Sequence, residues 1–299
     1  MVMKDFENAW LEAVERSNSI LCAGADPAEF AMGRTEKGEG LLAGVNKRDW
    51  ALKFIEAVAP YVAGIKPNMR YWGDNVDVAT VKEMVQLAHS KGLVVIHDSK
   101  EADIGATNDS GIFYAAVRGA DAVTLAAFAG NMEDAAKQGK DRGIGLISMC
   151  LMSNPEYNQV KNMWVDVSAD AENYDPAHIQ KIDGVPHVRH YVQLARDAGR
   201  FGLAGIVIGA PSQKNHIKDE EVANAARYFG KKGLALVPGI GAQGGEVTIL
   251  AKHFAYNHLI ANVGRGLMFP EPAKAYSTPE QQAEAAKQYR DMLAKLKAA

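Results

Sequence analysis

The chain of 299 residues is long enough for one large domain or two small ones, and its 47% hydrophobic and 23% charged residues suit a globular protein with a sizeable core. Thirty-three basic and thirty-six acidic side chains leave a net charge of −3, spread along the sequence, which argues against a nucleic-acid or membrane-surface binder. No run approaches the ~18 apolar residues of a membrane span, and the charged N-terminus MVMKDFENAWLEAVERSNS lacks a signal-peptide core.

In chain order, an amphipathic stretch at 5–16 predicts a helix ahead of the first strand. Short runs rich in Val, Ile, Leu and Ala then recur at 20–25, 62–66, 93–98, 121–126, 143–150, 205–208, 234–237 and 258–263. They have the composition of parallel strands buried on both faces. Helical patterns lie between them at 47–59, 77–91, 104–118, 187–198 and 219–229, and a last one at 279–297 closes the chain. Eight strands alternating with helices predict an α/β protein, a (β/α)8 TIM barrel. No Pro/Ser-rich linker or change of composition divides it, so a single domain is expected over 1–299. Cys22 and Cys150 sit in apolar runs and read as buried thiols in a reducing compartment, so a cytoplasmic protein is expected.

Two insertions, 27–46 and 153–186, leave the first and fifth strands at their C-terminal ends, where barrel enzymes assemble their sites. Surface elaboration is the plainer alternative for each.

The densest polar cluster is HDSKEADIGATN, His97 to Asn108, at the end of the third strand. A side-chain period of two puts Asp98 and Lys100 on one face, and a following helix would place Asp103 and Thr107 together at i and i+4. Two carboxylates and an ammonium would then meet at the barrel mouth, where a lysine among carboxylates stays charged and can act as a cationic acid. A strand-end ion pair with a helix cap would give the same spacing. A second cluster, VPGIGAQGGE, follows the seventh strand. Gly239, Gly241 and Gly244 satisfy GxGxxG, but a dinucleotide fingerprint belongs after the first strand, with an acid about twenty residues on. Barrels commonly bind phosphate with the loops after strands seven and eight. The amides of residues 241–245, the side chain of Gln243 and the guanidinium of Arg265 in ANVGRG suit an anion. Asp26 in GADP, Lys66 in IKPN and Ser153 in MSNP stand alone at other strand ends, where turn and cap residues are also common. His187 and His190 lack a third metal ligand and read as a solvated helix face. Asp170, Glu172 and Asp175 lack the spacing of a calcium loop.

Taken together, these motifs resemble the orotidine 5′-phosphate decarboxylase family, in its longer branch. The family signature D-x-K-x-x-D-I-x-x-T is matched by Asp98, Lys100, Asp103, Ile104 and Thr107, and the further matches run in family order from Asp26 and Lys66 through Ser153 and Gln243 to Arg265. The resemblance implies decarboxylation of orotidine 5′-monophosphate to UMP, without cofactor or metal, by a barrel homodimer with composite sites. Lys66, Asp98 and Lys100 would come from one subunit, and Asp103 and Thr107 from its partner. Asp26, Lys66 and Thr107 would hold ribose hydroxyls, with Ile104 beside the substrate. Ser153 would meet the pyrimidine, while Gln243, Gly244, Gly264 and Arg265 would hold the 5′-phosphate. A metal-dependent sugar-phosphate lyase of the same superfamily shares D-x-K-x-x-D but is expected to continue Ala-Gly, where this chain has Ile104-Gly105. A catalytically silent nucleotide-binding protein on the same scaffold is the alternative outside enzymes.

Overall fold

The computed structural model describes residues 5–298 apart from 38, 74, 214, 231 and 241–245. Eight parallel strands close into one barrel, each buried along most of its length. They are β1 (Leu21–Gly24), β2 (Gly64–Lys66), β3 (Val94–Glu101), β4 (Ala122–Leu125), β5 (Gly145–Leu151), β6 (Gly205–Ile208), β7 (Leu234–Val237) and β8 (Leu259–Val263). Neighbours in sequence are neighbours in the barrel, and β1 closes on β8 in the register Cys22 to Asn262. All eight expected strands and the expected barrel are present. The same apolar runs explain why: a parallel strand is covered by the barrel interior on one face and by helices on the other.

The N-terminal helix, Phe6–Ser17, is capped by Asp5 and turns Phe6, Trp10, Ala13 and Val14 inward. It closes the end of the barrel where strands begin. A Cβ on Gly145, the first residue of β5, would lie 2.6 Å from Phe6, and one on Gly64, the first of β2, would meet Val94 and Trp10. Those two strand starts need glycine because the helix and the neighbouring strand approach so closely. Trp10 is fully buried, and its indole N–H donates to the Asn257 carbonyl at 3.0 Å. With that end filled, the open end is the one where strands finish.

Two stretches differ from expectation. The helix expected over 187–198 spans His190–Arg200, and residues 185–189 instead form a strand. That strand pairs antiparallel with Trp164–Asp166 and Gln180–Ile182 in a small three-stranded sheet within the second insertion. The cause is an Asp-Gly hairpin: Asp183 and Gly184 take φ of 50° and 82°, the backbone of a type I′ turn, and the alternation after it is a strand period. His187 therefore lies on this strand and His190 opens the helix; both are half-buried rather than on a solvated face. A helix at Met132–Arg142 escaped the periodicity because only Met132, Ala135 and Gly139 of its eleven residues are buried. Asp170 and Asp175 answer Arg196 and Arg227 in ion pairs. Among the described residues, no helix is long and apolar enough to cross a membrane.

Trp10→Ala should remove the plug's largest side chain and its hydrogen bond, lowering stability by about 3–5 kcal/mol. Denaturant unfolding measures this, and a loss below about 1 kcal/mol would show that the helix is not part of the core.

Candidate active site

The tail of β3 departs from regular strand geometry where its polar residues begin. Its register with β4 slips between His97 and Glu101, and Lys100 takes a φ of 54°. A non-glycine residue in that region costs about 1–2 kcal/mol. Two contacts hold it there: the Lys100 amide donates to Thr124 Oγ1 at 2.9 Å, and Lys100 Nζ donates to Asp98 Oδ1 at 2.6 Å. Thr124 Oγ1 in turn donates to Asp98 Oδ1 at 2.9 Å. On the other side of the same carboxylate, Lys66 Nζ at the end of β2 meets Asp98 Oδ2 at 2.5 Å.

One buried carboxylate is thus shared by two ammonium groups. Burial alone would raise the Asp98 carboxyl, but Lys66 and Lys100 outweigh it and hold the group well below the usual carboxylate range. Burial would likewise lower Lys66, and Asp98 and Asp26 reverse that, raising it above the usual lysine value. Lys66 and Asp98 are buried, whereas the Lys100 side chain is 42% exposed at the barrel mouth. The geometry leaves one cation locked in the protein and the other facing the open end.

Asp26, just past β1, is half-buried beside this array, and its Oδ1 accepts the Asn68 backbone amide at 2.9 Å. Burial raises its carboxyl, with Lys66 acting in the opposite direction. Asp26 also lines a cavity of about 400 Å³ at the C-terminal ends of β1, β7 and β8, together with Arg34, Glu39, Asn262, Gly264 and Arg265. Gly264 follows β8 and packs against β1 so closely that a Cβ on Gly24 would lie 2.9 Å from its Cα. Arg265 opens the short helix Arg265–Met268 and pairs with Glu39 of the first insertion. Gln243, Gly244 and Gly241 lie outside the described residues. A larger hollow, about 650 Å³, lies beside the N-terminal helix at the opposite end of the barrel, lined by Asn8, Glu12, Tyr256 and Lys297 among others. The smaller cavity is the functional candidate, because it lies at the open end of the barrel and Asp26 on its wall is linked by charge to the neighbouring Lys66.

The profile of the Orotidine 5′-phosphate decarboxylase / HUMPS family matches residues 19–278. The chain belongs to this family. Orotidine 5′-phosphate decarboxylase of Variovorax paradoxus is 28% identical over 290 residues, covering 94% of this chain and 95% of its own. The protein of the same name from Polaromonas naphthalenivorans is 29% identical over 271 residues, covering 87% and 86%. Leishmania donovani OMP decarboxylase superposes with a TM-score of 0.71 at 21% identity, covering 99% of this chain and 100% of its own. The Plasmodium berghei enzyme gives 0.69 at 16%, covering 98% and 100%. Those two likenesses show the shared barrel.

In this member of the decarboxylase / HUMPS family, Asp98 and Lys100 do meet, as the strand period predicts. Asp103 does not join them within the chain. The helix begins at Gly105, not at 104, so Asp103 belongs to the turn before it rather than to a helical face with Thr107. Its Oδ1 accepts the Ile104 amide at 2.8 Å, and Asp103, Ile104 and Thr107 are all exposed. One chain therefore brings together one carboxylate and two ammoniums, Asp98 with Lys66 and Lys100. Ser153 stands at the rim, two residues past β5 and against Gly209 after β6.

Sequence reasoning missed Thr124, whose only signal was a hydroxyl in the apolar run AVTLAA. It also missed Asn262, which lines the cavity with its Oδ1 buried and without a hydrogen-bond partner among the described residues. His97, next to Asp98, is a third omission. Its Nε2 lies 3.2 Å from Arg118 Nη1, and arginine can only donate, so Nε2 is the acceptor and Nδ1–H donates to Ser99 Oγ at 3.1 Å. Burial and the Arg118 charge push this imidazole down to about 4. The unfolded chain, with histidine near 6.5, then binds the extra proton first, so the contribution of His97 to stability is full above 6.5 and is lost as pH falls toward 4. His97→Asn should flatten the fall in stability across that window in urea titrations, and an unchanged slope would contradict the assignment.

Proposed function

We propose that this chain, as one domain over residues 1–299, converts orotidine 5′-monophosphate to UMP and CO2 in pyrimidine biosynthesis. The observation that supports it most is the Lys66–Asp98–Lys100 array beside a cavity that ends at Arg265. Family membership supports the same reading.

Loss of CO2 from C6 of the pyrimidine leaves an sp2 carbanion with no conjugated electron sink in the ring. Fixed charge can stabilise it, and a nearby acid can quench it. Lys100, open to the mouth and steered by Asp98, is placed to do both: its ammonium attracts the electron pair at C6 and then donates a proton to it. Asp98 fixes the Lys100 head and lies near the departing carboxylate. Lys66, already neutralising Asp98, holds a ribose hydroxyl with Asp26. Arg265, Gly264, Gln243 and Gly244 bind the 5′-phosphate, and that remote grip orients C6 over Lys100. Ser153 meets the pyrimidine. We infer that neither metal nor cofactor takes part. The two buried free thiols, Cys22 and Cys150, fit a reducing, cytoplasmic setting.

The site is completed by a second subunit in this reading. Ile104, Phe113, Tyr114, Val117 and Phe128 are exposed on and beside the helix Gly105–Val117, with Phe128 at 78%. So many large apolar side chains on one side of a monomer are the mark of an interface. Asp103 and Thr107 sit at its edge, so a two-fold dimer through this face would carry them to the partner's Lys100, with Ile104 beside the substrate.

Lys100→Ala should lower turnover by about 10³-fold or more while UMP still binds. Substantial residual decarboxylation, followed by the absorbance change, would refute the role given to Lys100. A mixing experiment tests the composite site. Lys100→Ala and Asp103→Asn dimers, each inactive, should regain about a quarter of wild-type activity once subunits exchange, because half of the reassorted dimers hold one intact site. No recovery after exchange would place Asp103 in its own subunit's site, and an Asp103→Asn dimer active before mixing would place it outside catalysis.

A further inference from the structure

The first insertion reaches the phosphate end of the cavity with two opposite charges, and neither has a role in the reading above. Its base is pinned: the Leu41 amide donates to the Ala28 carbonyl at 2.8 Å, and Thr35 Oγ1 donates to the Leu41 carbonyl at 2.7 Å. Its tip is a closed turn, with the amides of Lys37 and Glu39 both donating to the Arg34 carbonyl at 3.1 and 3.2 Å. Arg34 and Glu39 therefore leave the same turn and line the same cavity. Arg34 Nη1 donates to Tyr71 Oη at 2.7 Å and lies over that ring, a contact that keeps the guanidinium at the cavity wall. Glu39 places a carboxylate on the guanidinium of Arg265.

We propose that this loop sets the selectivity for a phosphate dianion: Glu39 is a resident counter-ion on Arg265 that the substrate phosphate displaces, and Arg34 is a second cation that then joins the phosphate. The inference rests on the reading of Arg265 as a phosphate ligand. With Glu39 in place, its carboxylate offsets one of the two guanidiniums. With Glu39 moved off, both guanidiniums can face a phosphate monoester dianion. The Glu39 and Arg265 side chains are 29% and 45% exposed, so their pair is weak enough for a dianion to replace. A phosphate oxygen would also offer Arg265 the two-pronged contact that guanidinium prefers. A neutral nucleoside would gain nothing from displacing Glu39 and would leave Arg34 on Tyr71.

The test is a steady-state comparison of Glu39→Gln, Arg34→Met and Arg265→Ala, with inorganic phosphate as a competing probe. Glu39→Gln should lower both KM for orotidine 5′-monophosphate and the inhibition constant of inorganic phosphate by about two- to five-fold, with a smaller effect on kcat. Arg34→Met should raise both by about five-fold or more. In the Arg265→Ala background, the effect of Glu39→Gln should vanish. If Arg265→Ala raises KM while Glu39→Gln and Arg34→Met leave it unchanged, the proposal is overturned and the phosphate site stands. If Arg265→Ala leaves KM unchanged, the phosphate site fails and the proposal falls with it.

Discussion

The sharing of the Asp98 carboxylate between Lys66 and Lys100 is the constraint around which the open end of the barrel is arranged. Two lysines so close would repel, and a lone carboxylate so deep would protonate. Together, Lys66 and Asp98 hold each other charged, and Lys100 shares the same carboxylate. Removing Asp98 would leave Lys66 buried without its partner, a cost of about 3–5 kcal/mol. The irregular end of β3 follows from the same need. A regular strand would not give the Lys100 backbone its positive φ, and Thr124 secures both the amide of Lys100 and the carboxylate it serves. The local strain is thus held by the contacts that order Lys100.

The two ends of the barrel divide the work. At the closed end, Phe6 and Trp10 approach strand starts that only glycine can occupy, so that surface contributes packing. At the open end, the strands finish in polar residues and the insertions begin. The first insertion bends over the cavity near Arg265, while the second builds a separate three-stranded sheet. Stability and chemistry can therefore vary with little interference, which is the general advantage of this architecture.

The barrel was legible because doubly covered strands must be apolar along their whole length, a pattern that survives without any tertiary information. The pairing of Asp98 with Lys100 was legible from the strand period, although the bulge that completes it was not. Reach across the barrel was harder to read. Lys66 belongs to another strand, thirty-two residues away from Asp98, and no local rule brings it there. Asp103 was misplaced because the period of a helix was extended two residues too far toward β3. The second insertion was misread for a related reason: KIDGVPHVRH contains both a hairpin turn and a helix start, and the Asp-Gly turn decides between them.

In the proposed mechanism, fixed charges on protein side chains are sufficient for the decarboxylation. Its most direct test follows the absorbance loss of orotidine 5′-monophosphate with the purified wild-type chain in the presence of EDTA. The expected result is rapid conversion to UMP, with a rate that added Mg2+ does not alter. No conversion, together with Mg2+-dependent turnover of a keto-sugar phosphate, would contradict it and place the chain on the lyase side of its family.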